Sequence, residues 1–453
     1  MTSKTDATLD PAPVRRNSTA RSDALYERAL EVMPGGSTRA TIYFAPHPPY
    51  ADHGRGARIV DVDGNSLIDF TNNFFSAIHG HANPKIIRAI ADTAAKGVSF
   101  GLPTETEVLL AEHICARAPA LETIRFANSG SEAVLTAIKA ARAHTGRPAI
   151  AKIEGAYHGS YDHVEVSLDS KPANWGAATP ENTKYARGTP DAVLSDTVVI
   201  PFNDVAACER LLRANASRLA GVLFDPLPSR VGLIPASAEF TAVLRDVTRQ
   251  LGIVLIVDEI VCFRLSHAGA HPLWSLDPDL VTLGKIIGGG LPIGAVAGKR
   301  AIMDMFDARP GKAPVPHGGT FTANPVTMAA GLASMEQLDV PAYERLNALG
   351  DRLRARLTTA IDRSGVPGQV TGMGSLFRLH AHVRPIADYR SCYPTEAESD
   401  LLKRLHAWLL DQGFLVTQNV SGALSTPMTE ADVDALADAT GEGLAWVSRR
   451  AAA

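Results

Sequence analysis

From about residue 83 to residue 298 the chain alternates short apolar runs with amphipathic helical patterns, and this alternation restricts the fold more than any other feature. The runs at 123–126, 149–153, 198–200, 221–225, 254–258, 280–283 and 295–298 have strand length, and helical patterns lie between them, as at 132–144 and 238–251. Apolar strands joined through helices predict an α/β fold, a mostly parallel sheet covered on both faces. After about residue 335 the order becomes helix (342–363), strand (375–380), helix (395–412), strand (415–418) and helix (430–449), which predicts a separate small α+β domain. Near the start, 58–62 and 67–70 flank Asp63-Gly64-Asn65, a hairpin signal, and this hairpin is expected to join the small domain. A helix is expected near 23–32, ahead of Met33-Pro34-Gly35-Gly36. Residues 1–22 are polar and read as a mobile arm. The resulting division is an arm (1–22), an N-terminal segment (23–82), a large domain (83–334) and a C-terminal small domain (335–453).

Composition excludes several classes. At 453 residues, 45% hydrophobic and 20% charged, the chain is ordinary globular protein with ample material for a core. A formal net charge of −4 offers no basic field for nucleic acid. Cys115, Cys208, Cys262 and Cys392 are scattered and form no metal-site or disulfide framework, so no metal is expected and a reducing compartment fits. No apolar run approaches membrane-spanning length. Arg15-Arg16 is followed by polar Asn17-Ser18-Thr19, which is not an export signal. The expected location is cytoplasmic.

Two strand ends carry chemistry. Thr282-Leu283-Gly284-Lys285 brings a lysine against the glycine cluster Gly288-Gly289-Gly290, and Val254-Leu255-Ile256-Val257-Asp258-Glu259 ends an apolar run in acids. The combination suggests pyridoxal 5'-phosphate, with Lys285 as the imine-forming amine and Asp258 as partner of the ring nitrogen. A carboxylate beside that nitrogen favours its protonated form. Residues two apart on a strand share a face, so Ile260 is placed to pack on the ring that Asp258 binds. Tyr157, in the turn Gly155-Ala156-Tyr157-His158-Gly159, is the candidate for the other ring face, although a half-buried core aromatic is an equal reading. His158 reads as a structural hydrogen-bonding group, not a base. Arg125-Phe126-Ala127-Asn128-Ser129-Gly130-Ser131-Glu132 is a strand, a polar turn and a helix start, which suits a phosphate. On this segment alone, an ordinary helix cap by Ser129 or Ser131 is the simpler reading.

In this order the four motifs resemble the class III (fold-type I) aminotransferases that depend on pyridoxal phosphate. The similarity is greatest to the branch of glutamate-1-semialdehyde aminomutase and the β-amino acid (β-phenylalanine) aminotransferases, and it runs from about Arg39 to the C-terminus. The resemblance implies a large domain with a seven-stranded sheet, plus a small domain from the N- and C-terminal segments. It implies that Lys285 binds the cofactor and shuttles the proton. Ser129, Gly130 and Ser131 would hold the phosphate, Tyr157 and Ile260 the ring faces, and Asp258 the nitrogen. Thr320, in Gly318-Gly319-Thr320-Phe321-Thr322, would reach the phosphate of a neighbouring subunit, making the enzyme a homodimer with shared sites. A plain glycine-rich loop before a helix is the alternative for that stretch.

Two departures narrow the branch. Ile260-Val261-Cys262-Phe263-Arg264 is one residue shorter than the segment of many relatives, as in the β-phenylalanine enzymes, and Asp225-Pro226-Leu227-Pro228-Ser229-Arg230 lacks their glycine-rich continuation. Arg39 is the candidate for the substrate carboxylate, because a guanidinium fork suits that group. Asn72-Asn73-Phe74-Phe75 is expected near the pocket, where its aromatics favour a bulky donor. Relatives carry an arginine before the last strand, and Gln418-Asn419-Val420-Ser421-Gly422-Ala423 has none, so pyruvate is a plausible acceptor in place of 2-oxoglutarate. The expected activity is transfer of an amino group from an amino acid, a β-amino acid or bulky aromatic amine by preference, to a 2-oxo acid. The alternatives are an aminomutase or racemase on the same scaffold, and a non-catalytic binding protein of that fold.

Overall fold

Strands that lie between two layers of helix are apolar along their whole length, and here they are buried along their whole length. The computed structural model describes residues 18–451. Fourteen strands arise in chain order: β1 (Ala51–Arg55), β2 (Arg58–Asp61), β3 (Ser66–Asp69), β4 (Thr123–Ala127), β5 (Ala149–Ile153), β6 (Thr197–Ile200), β7 (Leu219–Phe224), β8 (Val254–Asp258), β9 (Leu280–Gly284), β10 (Gly294–Gly298), β11 (Gln369–Thr371), β12 (Leu376–His380), β13 (Phe414–Leu415) and β14 (Ser421–Ala423). Seven of them form one sheet in the order β4-β10-β9-β8-β7-β5-β6. Neighbours from β9 through β6 run parallel, whereas β10 runs antiparallel to both β4 and β9. The expected α/β sheet is therefore present, with β10 as the reversed strand.

Helices cover both faces. Helix α1 spans Ala20–Val32, α2 Gly130–Thr145 and α3 Ala238–Leu251. Small residues on α2 (Ala133, Ala137, Ala140 and Ala141) pack with Ile150, Leu223 and Ile256 of the sheet, and their size allows close approach. On the other face, Phe240, Leu244 and Val247 of α3 pack with Val222, Leu255 and Val257. The C-terminal part contributes α4 (Pro325–Met335), α5 (Val340–Ser364), α6 (Glu396–Asp411) and α7 (Glu430–Ala451). A three-stranded sheet, β11-β12-β14, lies among them. The hairpin strands β2 and β3 pair as expected around the Asp63 turn, and β3 pairs in parallel with β13, which joins the N-terminal segment to the C-terminal part.

Two expectations need correction. Residues 1–17 of the expected arm lie outside the described residues, but from Ala20 the chain is already α1. The Asp63 carboxylate holds that helix start, accepting from the N–H of Arg21 at 2.8 Å and of Ser22 at 3.0 Å. The strand expected at 415–418 is instead two short strands on different sheets. Thr417 breaks it: its carbonyl accepts from Val420 N–H at 2.8 Å and its hydroxyl from Ser421 N–H at 2.9 Å, closing a turn with Val420 at φ 51°.

Candidate active site

In a parallel sheet the space beyond the carboxyl ends of the strands is where ligands collect. Here β4, β5, β7, β8 and β9 end in Asn128-Ser129, Gly155-Ala156-Tyr157, Asp225, Asp258 and Lys285, so residues scattered over the sequence converge at one edge.

Asp258 is the hub. It is buried, and register places it opposite Thr282 on β9. One carboxylate oxygen, Oδ1, accepts from Ile260 N–H at 3.0 Å and from the Thr282 hydroxyl at 3.1 Å. The other, Oδ2, lies 2.6 Å from Nδ1 of His158. Because the carboxylate accepts, that imidazole nitrogen carries the proton. Burial holds the His158 imidazole below its usual range, against the pull of Asp258. A carboxylate has about four lone-pair positions. Three are used, which leaves one for a further N–H.

Lys285 follows β9 directly and opens a 3-10 turn, Lys285–Gly288. Its φ is 50°, a left-handed conformation that costs a non-glycine residue about 1–2 kcal/mol. Such strain persists only where the surroundings enforce it. Burial lowers the pKa of its amine from the usual lysine value, and the nearby acids Asp258 and Asp225 oppose that fall.

The turn after β4 is built for an anion. Ser129 caps α2, its hydroxyl accepting from Glu132 N–H at 3.1 Å. The Ser131 hydroxyl accepts from Ser160 N–H at 3.0 Å. Both hydroxyls therefore act as acceptors in these contacts and keep their own protons to donate. The N–H groups of Gly130 and Ser131 open the helix and have no intrahelical acceptor. Capping and anion binding are compatible here. Close packing fixes the turn: a Cβ on Gly294 would stand 1.9 Å from the Ser129 carbonyl oxygen, and one on Gly159 would stand 2.4 Å from the Ser131 hydroxyl.

The other expected residues fall into two groups. Ile260 is half-buried and reaches Gly130, whose added Cβ would stand 2.7 Å from its Cδ1, so Ile260 lies between the acid and the anion turn. Tyr157 stands 47% exposed beside this edge. Arg39 is exposed, donates to Asn73 Oδ1 at 2.8 Å and lies 5.2 Å from the Phe74 ring centroid, so the Asn72–Phe75 segment holds it. Thr320 is exposed, on a turn whose Thr322 hydroxyl is 3.5 Å from Asn128 Nδ2; no described contact draws Thr320 into the site of its own chain. Sequence reasoning missed Asp225 and Thr282 as site residues. Asp225 is buried, and burial, then Asp258, pushes its carboxyl up to about 8. The signal was an acid at the end of a strand adjacent to the one that ends in Asp258.

These residues fit pyridoxal phosphate: a turn with free N–H and O–H donors for the phosphate, an unfilled lone pair on Asp258 for a protonated ring nitrogen, and an amine of lowered pKa for its carbonyl carbon. A profile of the family described as aminotransferase class-III matches residues 45–417. Glutamate-1-semialdehyde 2,1-aminomutase of Aeropyrum pernix is 38% identical over 411 residues, covering 90% of this chain and 93% of that protein. An omega-transaminase from Sphaerobacter thermophilus superposes with a TM-score of 0.92 at 48% identity, covering 96% of this chain and 98% of its own. The β-phenylalanine aminotransferase from Variovorax paradoxus superposes at 0.85 with 31% identity, covering 96% and 95%. No helix among the described residues is long and apolar enough to cross a membrane. The sheet, its loaded edge and these likenesses lead to one conclusion: the chain belongs to the class III aminotransferases, enzymes that depend on pyridoxal phosphate.

Proposed function

We propose that the enzyme is a transaminase that takes the amino group of a β-amino acid or a bulky aromatic amine and passes it to a 2-oxo acid, with Lys285 as its proton carrier. The observation that carries this reading is the pairing of two stations: an amine of lowered pKa beside two buried acids, and a carboxylate-reading Arg39 held by Asn73 and Phe74. When bound, pyridoxal phosphate supplies an electron-poor ring that acidifies the C–H next to the substrate nitrogen. Lys285 Nζ takes that proton and returns it, a task eased by a pKa below the usual lysine value. Asp258 keeps the ring nitrogen protonated, and His158 and Thr282 fix the direction of its carboxylate. Ser129, Gly130 and Ser131 hold the phosphate, with Tyr157 and Ile260 at the two ring faces. Arg39 orients the donor, and Phe74 favours an apolar side chain near it. Gln418 and Asn419, in place of an arginine, favour pyruvate as acceptor over a dicarboxylate.

The working unit in this reading is a homodimer in which Thr320 completes the partner's phosphate site. Val98, Phe100, Leu102 and Phe321 are exposed apolar residues, and Asn324 Nδ2 donates to Val98 O at 2.6 Å, which ties the two segments into one patch suited to burial against a second copy. The four free cysteines, three of them buried, fit a cytoplasmic location.

Single-turnover half-reactions without acceptor test the donor class, read as conversion of the cofactor to its amino form. β-Phenylalanine should react and Arg39→Ala should weaken it while sparing simple amines; equal loss for both removes Arg39 from the reading. Lys285→Ala should cut turnover roughly a thousandfold or more and remove the visible absorbance of lysine-bound cofactor. The aminomutase relatives support a second reading, in which the amino group stays within one molecule. Turnover that needs no separate 2-oxo acid would favour it.

A further inference from the structure

Away from the strand-end site, a cavity of about 130 Å³ opens between the loop after β7, strand β12 and helix α6. Its lining includes Arg378, His380, His382, Lys403, Gln418 and Asn419, and it contains no acid. Arg378 is only 7% exposed. Its Nη1 donates to Ser229 O at 2.8 Å, but its Nε has no hydrogen-bond partner among the described residues. His382 is 4% exposed, and its Nε2 is likewise without a partner. The amide nitrogen of Gln369, which donates to the carbonyls of His382 and Arg384, faces His382 Nδ1 at 3.4 Å. A ring nitrogen that meets an N–H donor is the acceptor, so the His382 proton sits on Nε2. His380 Nε2 donates to Gly232 O at 3.1 Å. Burial, then Arg378, pushes its imidazole down to about 3, so it is neutral. Arg378 and Lys403 thus supply the charge, and His382 supplies a neutral donor.

A buried guanidinium edge and a buried N–H, neither with a partner, cost free energy unless an acceptor meets them. The side chains exclude a cation, because two positive groups line the space and no carboxylate opposes them. They exclude an apolar ligand, because the named lining is polar. We infer that this cavity is a binding site for a small carboxylate, seated against Arg378 Nε, His382 Nε2 and Lys403. A flat, singly charged group suits the side of a guanidinium and a volume of this size. Gln418, which lines the cavity, donates to Tyr43 O at 2.8 Å, four residues from Arg39. The carboxylate can thus come from two sources: the far end of a substrate that also engages Arg39's segment, or a free carboxylate that binds by itself.

Calorimetric titration of the cofactor-loaded enzyme tests this, in an Arg39→Ala background so that the donor subsite does not contribute. Glutarate and acetate are the probes, and sulfate is the comparison anion. Saturable binding of a carboxylate is expected. Lys403→Glu, on an exposed helix position, should weaken it about tenfold or more, the scale of one charge-assisted hydrogen bond, with the ligand-free melting temperature unchanged. Arg378→Gln should abolish it. Absence of saturable binding, or binding that Lys403→Glu leaves intact, overturns the inference. The source follows from turnover of the enzyme with native Arg39: glutarate that competes with substrate marks the far end of a substrate, and carboxylate bound without effect on turnover marks a free ligand. The calorimetry needs no amino transfer, so it stands or falls separately from the proposed activity.

Discussion

Two acids close neighbouring strands at the head of the site, Asp258 on β8 and Asp225 just beyond β7. The second gives the protein a pH signature. The Asp225 carboxyl is raised from 3.8 to about 8, chiefly by burial. Between those values the folded chain keeps a proton that the unfolded chain has released, so this group's contribution is fully present below pH 3.8 and is lost as pH rises through about 8. Asn keeps the shape and can still accept from Leu227 N–H, as Asp225 does at 2.9 Å. Asp225→Asn should therefore melt above the parent at pH 8 and level with it at pH 4, measured by thermal unfolding of the cofactor-free protein. At this scale the sequence was partly legible. Lys285 and Asp258 were found because each ends an apolar run. Thr282 was not, because its link to Asp258 depends on which strands are neighbours and in what register, and neither is written locally.

Among the elements, the turn Asn72–Phe75 is the least expected. Its four residues have φ of 45°, 49°, 53° and 75°, so the chain makes a left-handed turn where right-handed backbone is the default. Asp69 holds it: Oδ1 accepts from Thr71 N–H at 2.9 Å, the Thr71 hydroxyl at 2.6 Å and Asn72 N–H at 2.9 Å, and Asn72 Nδ2 donates to Ala423 O at 2.6 Å. The turn presents Asn73 and Phe74 to Arg39. Glycine adopts this backbone freely but lacks the amide. Asn73→Gly should thus leave stability equal or higher while raising KM for carboxylate-bearing donors about tenfold, with kcat within about twofold, measured by steady-state kinetics with and without a donor carboxylate. Replacement of Asp69 by Ala should instead lower the melting temperature, since three donors lose their acceptor. The sequence placed this segment near the pocket by resemblance, but asparagine and phenylalanine do not reveal a left-handed turn. Likewise the expected strand at 415–418 was a single apolar-leaning run, and the Thr417 hydrogen bonds that split it appear only in three dimensions.

For the whole molecule, the large sheet was legible because strands such as Val254–Asp258 are apolar along their length and buried along their length. The assembly is where sequence and single chain reach least far, since Thr320 is exposed and makes its proposed contact only across a subunit boundary. This reading yields a complementation test. Lys285→Ala and Thr320→Ala chains are each defective alone. In a mixed dimer, one site joins native Lys285 to native Thr320 from the other chain. Co-refolded mixtures should regain about half of wild-type activity per hybrid dimer in the simplest two-site count, and no regain would show that the sites are not shared.

The caps on helix α2 also have a bearing on how the enzyme is supplied. Ser129 and Ser131 accept hydrogen bonds from the fold and keep their protons in reserve. An arriving phosphate therefore competes with no bond that holds the helix, and little of the chain has to be reordered on loading. The protein is in that sense a refillable vessel. Stripping it with a carbonyl scavenger and dialysing the cofactor back should restore full turnover without passage through an unfolded state, and the emptied chain should keep its helical circular dichroism throughout.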